Sequence, residues 1–274
     1  MNVRSTIPAL LALAAACSQN GFNPAAINEV VVDGCLIAGA PVDSIRLSPL
    51  IPYGAAASAS NPITNASPTI SDKANVWPLV ATGDSGYYRG ADTSFRPIAG
   101  ETYTFTVSYG GKNISAVTVV PQKTLGIALS SDTLTIDTTM TMYEMMQAQR
   151  SGQTIPEITL KFKNPTLDYY YVVVQNVDSA PVALSADTLR FRGSRFLSSP
   201  AKDTDYVITF AQINALGRHR VTLYHVNQEY ADLYNRQTQD SRDLVEPATN
   251  VVNGLGIFTA VNCDSVFFYA VAGQ

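Results

Sequence analysis

Charge is scarce in this chain, and so are the side chains that most often carry chemistry. Only 15% of its residues are charged, and its 274 residues include two histidines, three cysteines and one tryptophan. The shortage of Lys and Arg, with a formal balance of −4, excludes a nucleic-acid-binding protein, because neutralising phosphates takes clustered basic side chains. The densest basic run, Arg190, Arg192 and Arg195, is interleaved with Phe191 and Phe196 and reads as the outer face of a strand. His219 and His225 have Val221 and Leu223 between them. On a strand they share a face but lie about 20 Å apart, too far to hold one metal ion, and they read as surface or strand-end residues. Asp132, Asp137, Asp203 and Asp205 lack the alternating ligand set, central glycine and closing glutamate of a calcium loop. Gly83-Asp84-Ser85-Gly86 spells a protease nucleophile, yet no histidine precedes it, and a serine of that kind needs a histidine base. It reads as a polar hairpin turn. The chain is therefore expected to be no enzyme and to need no cofactor or metal. No run after Cys17 is apolar enough to cross a bilayer as a helix.

What is present begins with residues 1–16, MNVRSTIPALLALAAA, followed by Cys17. Arg4 is a positive start, Ile7 to Ala15 is a short apolar core, and small residues lead into the cysteine. That is the pattern of a secretory signal, and a cysteine at the cleavage point resembles a bacterial lipoprotein signal. Cys17 is then the acylated N-terminus of the mature protein. The usual leucine three places before the cysteine is Ala14 here, with Leu13 one place earlier. The competing reading is an ordinary signal peptide with a coincidental cysteine. Lipid on Cys17 would attach the protein to the outer membrane without any spanning helix. Cys35 and Cys263, near the two ends of the mature chain, are either a disulfide possible in an oxidising compartment or two buried thiols acting as small hydrophobes. Closing so long a loop stabilises by about 4–5 kcal/mol in the chain-entropy model.

The remainder reads as all-β. Residues 17–27 form a tether. An immunoglobulin-like sandwich spans 28–121, and a larger β-rich domain, sandwich or barrel-like with one or two short helices, spans 122–274. Thr102 to Tyr109 alternates apolar and hydroxyl residues for eight positions, Gly110-Gly111 permits a tight hairpin turn, and Ile114 to Val120 returns as its partner. Pro78, inside the strand Ala74 to Ala81, implies an edge position or a bulge. Residues 54–72 read as a loop. Strands are expected at 29–37, 44–48, 133–136, 158–162, 168–175, 189–196, 206–210, 220–226 and 265–271. Helices are expected at Met140 to Arg150 and at Gln228 to Gln237, the second with Asn227 as N-cap.

Asp-Ser/Thr triplets at Ser44, Thr133, Thr138, Ser179, Thr188 and Ser265 either favour turns or serve as O-glycosylation acceptors, whose glycans would mark exposed positions. Trp77, Tyr87 and Tyr88 are candidate ligand contacts, since flat aromatic faces stack on sugars or apolar ligands; core packing is the alternative.

Five pieces in order resemble one family pattern: Val30-Val31-Val32-Asp33-Gly34, Gly100 to Val107, Ser115 to Pro121, Phe162-Lys163-Asn164-Pro165 with Tyr169-Tyr170-Tyr171, and Glu246 to Phe258 ending in Asn-Gly-Leu-Gly-Ile-Phe. Together they resemble the Bacteroidota outer-membrane lipoproteins grouped as domain of unknown function 4249 (DUF4249). The chain departs from that pattern at Asn164, where an aspartate usually precedes the proline, and it is short for the family. The resemblance implies a cell-envelope lipoprotein often encoded beside a TonB-dependent transporter; it implies no activity and no catalytic residues. The expected function is thus non-catalytic: a lipid-anchored accessory or ligand-capture partner of such a transporter, for an unknown small ligand. A structural adhesin or fimbrial-type subunit is the alternative. Ser18-Gln19-Asn20 lacks an acidic export cluster and points to the periplasmic face, whereas the family resemblance points to the cell surface. Gly254 and Gly256 in the closing motif read as a bulge or close backbone approach, or as a binding loop.

Overall fold

The structure is a computed structural model, and the residues described are 29–51, 62–184, 195–237 and 248–273. The expected signal, the acylation site at Cys17, the tether and Thr188 lie outside them.

The N-terminal sandwich is built from β1 (Val30–Ile37), β2 (Ile45–Pro49), β3 (Thr69–Ser71), β4 (Val76–Ala81), β5 (Tyr87–Gly90), β6 (Thr102–Tyr109) and β7 (Lys112–Val119). The β6–β7 hairpin turns at Gly110 and Gly111, whose φ angles of 58° and 78° suit a turn that needs two left-handed residues. Alternation does the rest: Tyr103, Phe105 and Val107 are buried and the hydroxyls face outward. Pro78 is not at an edge. Its strand pairs with β3 through Val76–Pro78 and with β5 through Leu79–Ala81, so the proline, which has no N–H to donate, marks the point where the strand changes partners.

The second half contributes β8 (Leu125–Leu129), β9 (Thr133–Ile136), α1 (Met142–Arg150), β10 (Glu157–Lys163), β11 (Tyr169–Asn176), β12 (Val182–Ala183), β13 (Arg195–Leu197), β14 (Asp205–Thr209), β15 (Ala215–Val226), α2 (Gln228–Gln237), β16 (Val251–Val252) and β17 (Leu255–Ala272). A three-stranded sheet, β14-β10-β8, faces a sheet that includes β13-β11-β15-β17. Between them lies a core of Leu160, Phe162, Val172, Val221, Leu223 and Phe268, with Met145 of α1 packed in. Thr141 and Glu144 cap α1 reciprocally, which satisfies two of its orphan N–H groups.

One strand joins the halves. The first part of β17 pairs in parallel with β1, Val31 opposite Leu255 through Ile37 opposite Val261, and its second part pairs antiparallel with β15. β16 adds to β7. The first core, formed largely from residues 30–120, therefore also contains Val251, Phe258 and Ala260. A cut at residue 121 divides two cores but not two continuous chain segments, because the C-terminal strand completes the first sandwich.

Candidate functional site

The chain between the two cores is held by side chains of the second half. Asn227 donates to the carbonyl of Val119 (2.9 Å) and to Thr118 Oγ1 (2.9 Å), Asn262 donates to the carbonyl of Pro121 (3.0 Å), and His225 Nδ1 lies 2.9 Å from the carbonyl of Gln122. A carbonyl only accepts, so Nδ1 is the donor. Asn227, just before α2, is thus a tie between the halves through its amide N–H groups.

Beside this junction opens a cleft of about 590 Å³, within the usual size range of small-molecule sites. Its walls come from the segment after β7, the turn between β10 and β11, Lys202, and the end of β15. His225 is buried and stacks on Tyr170 with ring centres 4.5 Å apart. Its Nε2 is 3.2 Å from Asp168 Oδ2, and Thr166 Oγ1 donates to the same carboxylate oxygen. Burial raises the Tyr170 phenol above its ordinary value, opposed by a hydrogen bond with Thr124. His225 is thus anchored at Nδ1 by the Gln122 carbonyl, with Nε2 turned to the Asp168 carboxylate at the cleft wall.

Asn164 shapes the β10–β11 turn. Its amide donates to the carbonyls of Asp168 (2.9 Å) and Asp203 (3.2 Å), and its Oδ1 accepts from the Asp168 N–H (2.9 Å). The turn holds Leu167 at φ 54°, a left-handed conformation that non-glycine residues rarely adopt, and leaves that side chain exposed at the lip of the cleft.

The candidates from sequence fall mostly elsewhere. Tyr88 is fully buried: its hydroxyl donates to the carbonyl of Ile63 (2.9 Å) and accepts from the Ala66 N–H (3.2 Å). It is a core residue and not a ligand contact, because alternation along β5 turns it inward while Tyr87 turns outward, under Arg46. Trp77 is half-buried and stacked on Phe95 with centroids 3.9 Å apart, a packing role. Cys35 and Cys263 are free thiols. Cys35 stands opposite Thr259 in the β1–β17 register, so Cys263 is four residues further along, roughly 13 Å by strand rise and beyond the span of a disulfide. Neither histidine is a surface residue: His219, 1% exposed, and His225, 8% exposed, face inward with Val221 and Leu223 between them. His219 stacks on Phe268. Among the acceptor candidates, Ser44, Thr133, Thr138 and Ser179 are exposed, whereas Ser265 is half-buried and bonded to Thr222 Oγ1 at 2.9 Å. No grouping of three or more metal-ligating side chains occurs among the described residues. The closing Asn-Gly-Leu-Gly-Ile-Phe motif is structural: Asn250 grips the backbone of Phe258 through its N–H (3.0 Å) and its carbonyl (2.7 Å).

Sequence alone does not single out the cleft because its residues come from five separated segments. The one local hint was the Asn164-Pro165 turn signal followed by three tyrosines.

Among solved structures, the chain matches "Crystal structure of domains A168-A170 from titin" at 9% identity, covering 89% of this chain and 66% of that one. The TM-score of 0.23 is too loose an overlay to add to the all-β, immunoglobulin-like sandwich architecture described above. No curated protein matches. A family model matches residues 23–265, nearly the whole chain, and the protein belongs to the family described as "Domain of unknown function (DUF4249)".

Proposed function

We propose that this protein is a non-catalytic, lipid-anchored outer-membrane protein that captures a small ligand for a TonB-dependent transporter, with Cys17 carrying the lipid. The observation that carries the binding part is the open cleft beside the hydrogen-bonded junction of the two sandwiches. Binding sites favour such junctions, and here both halves supply walls. The family resemblance and the start of the chain support the envelope and transporter parts.

An adhesin or fimbrial subunit polymerising by strand exchange is favoured less. The path of the large sheet ends, among the described residues, in β13 and β16, of three and two residues. Strand addition draws its affinity from a row of main-chain hydrogen bonds; those two ends offer few, and the outer strands of the three-stranded sheet, β8 and β14, are five residues each.

The test is affinity capture of the tagged full-length protein from native outer membranes, with mass spectrometry of the co-purifying proteins and of the Cys17 peptide. A stoichiometric TonB-dependent transporter and an acylated Cys17 are expected. Recovery of the protein alone, or as a ladder of its own multimers, overturns the transporter partnership.

A further inference from the structure

We infer that the cleft takes a small polyanion, a molecule carrying several carboxylates or phosphates; this rests on the reading of the cleft as a ligand site. The chain has only six lysines and a net charge of −4, yet three of those lysines, Lys123, Lys163 and Lys202, line this one cleft. Against them stands, among the described residues, a single carboxylate in the lining, Asp168, already engaged by His225 and Thr166. A concave wall of one sign concentrates counter-ions of the other.

The lysines are also held in place. Lys202 lies over the Tyr169 ring with its Nζ 4.5 Å from the centroid, a contact that orients the ammonium without neutralising it. The Lys163 stem runs along Gly126, where a Cβ would come within 3.2 Å of Lys163 Cγ. Gly126 has φ +70° and lies where the β8–β10 register shifts between Lys161 and Lys163, so glycine both makes this bulge and leaves room for the lysine. Neither Lys163 nor Lys202 meets a carboxylate within ion-pair distance among the described residues. Lys123 shares its charge with Asp264 at 3.3 Å. Two exposed ammonium groups whose side chains lie along Gly126 and over Tyr169, with no ion pair of their own among the described residues, are set to receive anionic oxygens. Tyr169 and Leu167 add apolar surface, and the left-handed Leu167 places backbone strain at the lip, where binding clamps tend to hold it.

The experiment is titration calorimetry on the full-length protein in detergent at low salt, with citrate, inorganic pyrophosphate and, as a neutral probe, maltose. Citrate or pyrophosphate is expected to bind one-to-one and to weaken as sodium chloride is raised. Lys163→Gln and Lys202→Gln should each weaken binding about tenfold, while Lys112→Gln, on the first sandwich, leaves it unchanged. Binding of citrate alone assigns carboxylates, and of pyrophosphate alone phosphates. Failure of both anions to bind, maltose binding as well as the anions, or equal loss in Lys112→Gln each overturns the inference. Thermal melts of the variants separate lost binding from lost fold. Absence of a transporter in the membrane capture sinks the partnership and leaves this assignment standing.

Discussion

Gly256 of β17 faces Val32 of β1 so closely that a Cβ on the glycine would lie 2.0 Å from the Val32 carbonyl oxygen. No side chain fits there, and the φ of +95° is itself unfavourable for any other residue. This contact sets the parallel pairing by which the C-terminal strand closes the first sandwich. Gly256→Ala is expected to destabilise the protein by about 3 kcal/mol or more. Gly39→Ala is the control: its φ is +71° with nothing within 4 Å, so only the backbone term remains, about 1–2 kcal/mol. Urea midpoints of the two variants check this, and equal midpoints would refute the close-approach account.

Asn164 donates two hydrogen bonds to carbonyls that an aspartate could not serve. The family pattern has aspartate before this proline, and here the amide is built into the turn. Asn164→Asp should cost about 1–3 kcal/mol, the penalty for leaving buried polar groups without partners. It should also loosen the lip of the cleft, read as increased amide exchange at Leu167 and Asp168. An unchanged melting temperature with unchanged exchange would show that the two donated bonds contribute nothing.

The periodic strands were legible because one face of each is buried and the other wet. Tyr103, Phe105 and Val107 announced β6, and Ile158, Leu160 and Phe162 announced β10. Helical spacing placed α1 from Met140; the capping pair Thr141 and Glu144, which starts it at Met142, is a signal that spacing alone does not use. What was not legible is what depends on distant pairing. The residues of β17 from Ile257 to Asn262 are buried without alternation, since one face meets the first core and the other is covered as well, so period-two reasoning found only the strand's end. β3 and β5 are three and four residues long, too short for a pattern, and β8 is broken by its glycine bulge. The cleft was hidden for a related reason. Lys123, Lys163, Lys202 and His225 are isolated letters in sequence, and only the β10–β11 turn and the end of β15 bring them together.

His219 gives a pH dependence with a defined sign. Its Nδ1 lies 3.0 Å from the Gly217 carbonyl and its Nε2 3.5 Å from the Asn176 amide nitrogen, which fits a neutral ring donating at one nitrogen and accepting at the other. Burial lowers its pKa from the ordinary 6.5, partly offset by the Gly217 hydrogen bond and the charge of Asp178. The unfolded chain therefore takes up a proton before the folded one does. The stability is fully present above 6.5 and is lost as pH falls from there towards the lower folded value, at no more than about 1.4 kcal/mol per pH unit. Asp178, held below its ordinary 3.8 by backbone N–H groups of Ala180 and Arg218, acts in a separate window below about pH 4. His219→Gln is expected to flatten the profile in the interval below pH 6.5 and above the carboxylate range, and to leave the steeper acid limb intact. A slope in that interval that survives the substitution would assign it to another group.

Cys35 and Cys263 are the last test, because an oxidising envelope would favour a bridge if the geometry allowed one. The β1–β17 register offsets them by four residues, and moving either to meet the other would mean sliding β1 along β17. A slide of one residue turns every side chain of a strand to the opposite face, and a larger even slide would pull Val32 and Leu36 out of the positions they fill in the first core. Mass spectrometry of protein purified without reductant, unfolded and alkylated, is therefore expected to show both thiols modified and no linked peptide. The melting temperature should be the same with and without dithiothreitol. A Cys35–Cys263 linked peptide in the folded, monomeric protein would mean that the parallel pairing of β1 with β17, and with it the closure of the first sandwich, is wrong.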